Sequence, residues 1–178
     1  MSVLGIDIGV YVGGQRDDAA FKRMTVAIER TGAELAHIGR YVYPKLIPIF
    51  EAAAEKQFDA EGGGPGGAWS PLSPTYAEWK AKRYPGAPIL EATGRLRAAL
   101  TESMSPFAER EYSDTDFAFG TRNVPYASFH QVGTDRMVAR PFFDFGGETE
   151  RAIAAEGNEA LREAARASGL EEFAEVTP

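Results

Sequence analysis

Between Asp18 and Val42 the apolar residues recur at helical spacing: Phe21, Met24, Ile28, Leu35, Ile38 and Val42, with Thr31 in the missing place. Steps of three and four put them on one face of a helix, and a face that long has to be covered. From about residue 107 to 145 the period changes. Phe117 and Phe119 alternate with Ala118, the spacing of a strand with one buried face. A long helix in front and paired strands behind point to an α+β chain. The expectation is a small antiparallel sheet packed against a long N-terminal helix, with additional short helices and a C-terminal helix.

The helical stripe has a second reading, a coiled-coil seam, which Gly32 and Gly39 inside it weaken. Covering a sheet is the simpler role. Asp17 and Asp18 suit the positive end of the helix dipole. Pro44 and Pro48 are expected to kink or break the helix. Ahead of it, Leu4, Ile6, Ile8, Val10 and Val12 alternate with Asp7 and Gly9, a strand over residues 3–12. The GIDIG turn within it resembles the phosphate-binding hairpin of actin-like ATPases, but 178 residues cannot supply the two large domains those proteins need.

Residues 61–68, EGGGPGGA, form a low-complexity run expected to be a mobile loop. It has no Gly-Lys-Ser/Thr ending and opens no helix, so it is no phosphate cradle. Ser73-Pro74 is a helix start, and Thr93 a candidate cap for a second short helix. Ser113-Asp114 suits a hairpin turn, and MVARPFFDF, residues 137–145, reads as a further strand. A last helix runs from about Glu148 to Ser168 with Gly169 as its stop. Its apolar face is thin (Ile153, Ala160, Leu161, Ala164), and an acidic tail over residues 169–178 follows.

The length suits one domain over residues 1–178. Without cysteine there is no disulfide, thiolate nucleophile or Cys-ligated zinc. Two histidines, His37 and His130, lie far apart, so no metal site is assigned. No cofactor is expected. A net charge of −7 argues against a face that grips DNA phosphates, though not against a surface past which DNA slides. No signal peptide is read at the start. No uncharged stretch approaches the roughly 20 residues of a membrane span, so a soluble, cytoplasmically made protein is expected.

Most of the candidate functional residues fall in 124–145, VPYASFHQVGTDRMVARPFFDF. Ser128 stands two residues from His130, which leaves a small hydrolase using His130 as a rival reading, but no nucleophile elbow surrounds that serine. In Arg140-Pro141-Phe142, proline belongs at a sheet edge. Such an edge, with Arg140, Phe142 and Phe143, either accepts a strand from a neighbouring chain or is blocked against one. Trp69, at the border of the glycine run, either anchors that run to the core or contacts another subunit.

Several short blocks then occur in one order: Trp69 with Pro71-Leu72-Ser73; Lys80; Ile89-Leu90 with Thr93-Gly94 and Leu96; Gly120; Tyr126-Ala127; His130-Gln131 with Gly133-Thr134; and Ala139-Arg140-Pro141-Phe142. Together they resemble the signature of the phage virion morphogenesis or tail completion proteins, Mu G-like and P2 S-like, related to the HK97 tail completion family. The resemblance covers about residues 58–145 and implies a non-enzymatic structural protein of α+β fold. It would act late in assembly, in the virion at the head–tail joint or upper tail, completing the tail and helping join it to the head. The implied state is a ring homo-oligomer, six-fold, meeting neighbouring neck, stopper or tail tube and terminator proteins. DNA would pass through its lumen without specific binding, and no membrane is involved. A tail terminator or a non-virion assembly chaperone are the alternatives. The candidate interface residues are Trp69, Leu72, Tyr126, His130, Gln131, Arg140, Pro141, Phe142 and Phe143. Subunit contacts are expected along a sheet edge over residues 140–145 and at the loop over residues 61–72.

Overall fold

The structure, a computed structural model, describes residues 11–12, 15–16, 18–143 and 146–170. Most of the strand expected over residues 3–12, GIDIG included, lies outside them, as do Asp17 and the tail beyond Leu170. The described end of that strand, β1 (Tyr11–Val12), pairs antiparallel with β2 (Gln15–Arg16).

The helical stripe becomes two helices. Helix α1 (Asp18–Leu35) ends in a turn at residues 36–38, and α2 (Gly39–Asp59) begins directly after it. The break falls at Gly39, not at the prolines. Gly39 donates its N–H to the Asp114 carbonyl at 3.0 Å. A Cβ there would stand 2.3 Å from that same oxygen, so only glycine allows the approach. His37 Nδ1, 2.6 Å from Asp114 Oδ2, holds the same corner. Pro44 and Pro48 were expected to kink or break the helix; they do not break it, both sitting inside α2. They are four residues apart, and both are exposed. The carbonyls deprived of a partner, those of Arg40 and Pro44, therefore belong to exposed residues.

Beyond α2 come β3 (Gly62–Gly64), β4 (Gly67–Ala68), α3 (Pro74–Arg83), α4 (Arg95–Thr101), β5 (Ala108–Tyr112), β6 (Phe117–Thr121), α5 (Ala127–Val132) and α6 (Gly147–Ser168). Pro74 opens α3 as read, although the Ser73 side chain makes no capping bond. Gly94, left-handed at φ 73°, rather than Thr93, is the cap of α4.

The α+β class and the helix-on-sheet packing hold. Strands β5 and β6 pair antiparallel from Ala108–Thr121 to Tyr112–Phe117 around the turn at Ser113-Asp114. Their alternating rings meet α2: Phe117 lies 5.3 Å from Tyr43, and Phe119 lies 5.2 Å from Phe50. Arg110 fastens the layer from the middle of β5. Its guanidinium lies 3.7 Å from the Phe119 ring centroid, pairs with Glu51 of α2 at 3.2 Å, and donates to the Ala99 carbonyl of α4 at 3.0 Å.

Helix α1 packs instead on α6. That contact is made of small residues: Ala20 and Ala27 on α1, with Ala160, Ala164 and Ser168 of α6, are buried. Thr31 Oγ1 and Ser168 Oγ lie 2.6 Å apart. Ile28 and Leu35 of the predicted stripe are 54% and 40% exposed. Helix α6 also packs on α2, antiparallel, with Lys45 bound to Glu163 at 2.8 Å and Lys56 to Glu148 at 2.7 Å. The helix predicted at 148–168 is thus present and capped by Gly169, although Leu161 of its expected apolar face is exposed.

Two expectations for the second half change. Residues 127–132, read within a strand region, form the short helix α5, closed by Gly133 at φ 77°. Residues 138–143 form no strand, so the predicted edge over residues 140–145 has no described ladder, and Asp144 and Phe145 lie outside the described residues.

Candidate functional site

Residues 138–143 join no strand, and side chains bind much of their backbone. Gln131, on α5, accepts from the consecutive amides of Phe142 and Phe143, both at 3.1 Å, through Oε1. Its Nε2 donates to the Phe143 carbonyl at 3.1 Å. One glutamine thus replaces a neighbouring strand. The Arg140 amide donates to the His130 carbonyl at 2.7 Å, and the Pro141 carbonyl accepts from Trp69 Nε1 at 2.7 Å and Gln57 Nε2 at 3.1 Å.

The same contacts order the glycine run. Where a loop was expected, β3 and β4 form a hairpin. Gln57 Oε1 accepts from the Gly64 amide at 3.1 Å, and the Trp69 amide donates to the Glu61 carbonyl at 2.8 Å. A Cβ on Gly62 would lie 2.6 Å from the Trp69 nitrogen, at a φ of 99° that few other residues adopt. Trp69 itself packs edge-on against Phe58 at 5.4 Å. Of its two readings the anchor is the one seen: its side chain is buried within the chain.

Arg140 is also internal. It is 6% exposed, and its Nε and Nη2 donate to the carbonyls of Ser70 at 2.8 Å and Pro71 at 2.9 Å. Phe142 joins Phe58, Trp69, Leu96, Leu100 and Val124 in the core. Trp69, Arg140 and Phe142, nominated as interface residues, thus have their side chains turned into their own chain. Leu72, Tyr126, His130, Gln131, Pro141 and Phe143 are partly exposed.

What the motif blocks build together is a cleft of about 710 Å³. Pro71, Leu72 and Ser73 form one wall with Tyr76 and Lys80 of α3. Leu90 and Thr93 form another, and Tyr126, His130, Arg136, Val138 and Arg140 close it. Blocks separated by up to seventy residues therefore meet around one space. Among the described residues its lining has three cationic side chains and a histidine, and no carboxylate. Lys80 is buried and donates to the Pro88 carbonyl; burial holds its pKa below the ordinary lysine range. The carboxylates that act on Lys80 are otherwise engaged, Glu61 with the Ile89 amide at 2.6 Å and Glu91 with Arg97 at 3.1 Å.

The His130 pKa is pushed below the ordinary imidazole value, first by burial and then by the Arg140 guanidinium. Its Nδ1 is buried with no hydrogen-bond partner among the described residues, and its ring lies edge-on to Tyr126 at 5.8 Å. A relay histidine is oriented by a carboxylate; burial and the Arg140 cation act on this one instead. Sequence reasoning missed Tyr76, Arg136 and Val138 as members of the cleft. Trp79, half exposed, stacks on Tyr76 at 5.4 Å beside it.

The fold and the cleft define a small α+β protein whose signature residues converge on one cleft. The sequence model of the phage virion morphogenesis family matches residues 17–166, and the chain belongs to that family. It is 30% identical over 145 residues, 80% of this chain and 94% of the relative, to the Mu-like prophage FluMu G protein 1 of Haemophilus influenzae. No solved structure matches the chain. Its role is therefore in phage virion morphogenesis.

Proposed function

We propose that the chain is a structural subunit of the phage head–tail joining region, working as a six-fold ring that completes the tail and joins it to the head. The observation that carries this reading is the family match across residues 17–166, with a relative matched over 94% of its length. The cleft supports it. The signature residues hold a shaped, partly apolar surface together through main-chain hydrogen bonds, the arrangement of a recognition surface. A closed ring needs two different patches of one subunit to meet. Since residues 140–143 offer no strand edge, the cleft takes the place of that predicted contact. The acidic surplus of the chain would face the lumen, letting DNA pass without sticking.

Electron microscopy of the purified protein tests the ring: six-fold class averages are expected, and monomers at all concentrations contradict it. Mass spectrometry of purified particles separates a joint or terminator subunit, which stays in the virion, from an assembly chaperone, which does not. The hydrolase reading has less support, because the His130 Nδ1 has no hydrogen-bond partner among the described residues, where a relay histidine is oriented by a carboxylate.

A further inference from the structure

We infer that the cleft receives the acidic segment Glu171–Glu175 of a neighbouring copy of this chain, making the head-to-tail contact of the ring. The inference rests on the ring reading and names the surfaces that meet.

Three observations carry it. The first is charge. In a chain of net charge −7, the described lining of the cleft holds the exposed Arg136 beside the buried cations Lys80 and Arg140, and no carboxylate. Arg136 is exposed and forms no ion pair among the described residues. The segment that follows α6 reads LEEFAEVTP, with Glu171, Glu172 and Glu175 set around Phe173. The second is chemistry. Beside its cations the cleft offers Leu72, Tyr76, Leu90 and Val138, an apolar floor suited to the Phe173 ring.

The third is reach. Gln57, in the last turn of α2, bonds Pro141, which places the Arg140 wall of the cleft near the C-terminal end of α2. The pairs Lys56–Glu148 and Lys45–Glu163 put that end beside the start of α6. The acidic segment leaves from the opposite end of α6, a helix of 22 residues, about 33 Å long at 1.5 Å per residue. Glu175 lies five residues beyond Leu170, a span of at most about 18 Å. The segment is too short to turn back into the cleft of its own chain, so the occupant comes from another copy.

The test uses the full chain carrying E171K/E172K/E175K, whose own segment no longer competes, and a fluorescent peptide of sequence LEEFAEVTP. Saturable binding is expected in anisotropy. R136E or V138D should each weaken it about tenfold, as should replacing Phe173 of the peptide by serine, and added salt should weaken it further. Both substituted protein positions are exposed, so the fold is expected to tolerate them. No saturable binding up to about 1 mM, or binding indifferent to both protein substitutions, overturns the inference. Light scattering of the unsubstituted chain separates the two ideas. Peptide binding by a protein that stays monomeric keeps the docking and removes the ring. Oligomers that persist in the triple-lysine variant, with no peptide binding, remove the docking and keep the ring.

Discussion

Gln131 shows how much of this fold depends on single polar side chains. It holds two amides and a carbonyl of the segment after Arg140. Gln131→Ala leaves those groups unpaired at the edge of the core, and a loss of about 3 kcal/mol in chemical denaturation is expected. His130, beside it, makes stability depend on pH. Its folded pKa is depressed, so the unfolded chain takes up the proton first, near the ordinary value of about 6.5. Stability is full above that value and drains as pH falls below it, until the folded pKa is passed. Thermal unfolding at pH 7 and pH 5 should therefore show a larger drop in the native chain than in His130→Phe. An equal drop in both would remove the burial of this imidazole as the cause.

The elements divide by how local their causes are. The β5–β6 hairpin and α6 were legible because alternation, turn residues and a terminal glycine all lie within the segment itself. The pattern along residues 18–42 correctly announced helix. It did not show the corner at Gly39, whose cause is a carbonyl seventy-five positions away at Asp114. MVARPFFDF was read as a strand because its composition suits one; its actual partners, Gln131, Trp69 and Gln57, are side chains that no periodicity reveals. The short helix α5 was hidden by the same strand-like composition. Two substitutions probe the corner and the layer. Gly39→Ala forces Cβ into the Asp114 carbonyl and should cost about 1–3 kcal/mol by calorimetry. Arg110→Lys keeps the charge but loses the planar fork shared by Glu51, Ala99 and Phe119. A loss of about 2–3 kcal/mol in denaturant unfolding is expected; an unchanged midpoint would show that the fork does not hold the layer.

For the whole molecule, the signature blocks have a common physical meaning that their order in sequence did not reveal. Trp69, Gln131, Arg140 and Phe142 were nominated as contacts between subunits, and all bond or pack within the chain. Arg140 among them lines the cleft, together with Leu72, Tyr76, Tyr126, Arg136 and Val138. Family membership and an α+β frame were readable from sequence because both rest on short ordered patterns. Which residues face outward was not, because burial is decided by partners far along the chain. No described helix is long and apolar enough to cross a membrane. The claim that this protein completes the tail and joins it to the head is tested most directly by electron microscopy of lysates from a phage lacking its gene. The account predicts DNA-filled heads beside separate, finished tails, with joining restored when the gene is supplied in trans. Normal intact virions in that lysate would contradict it.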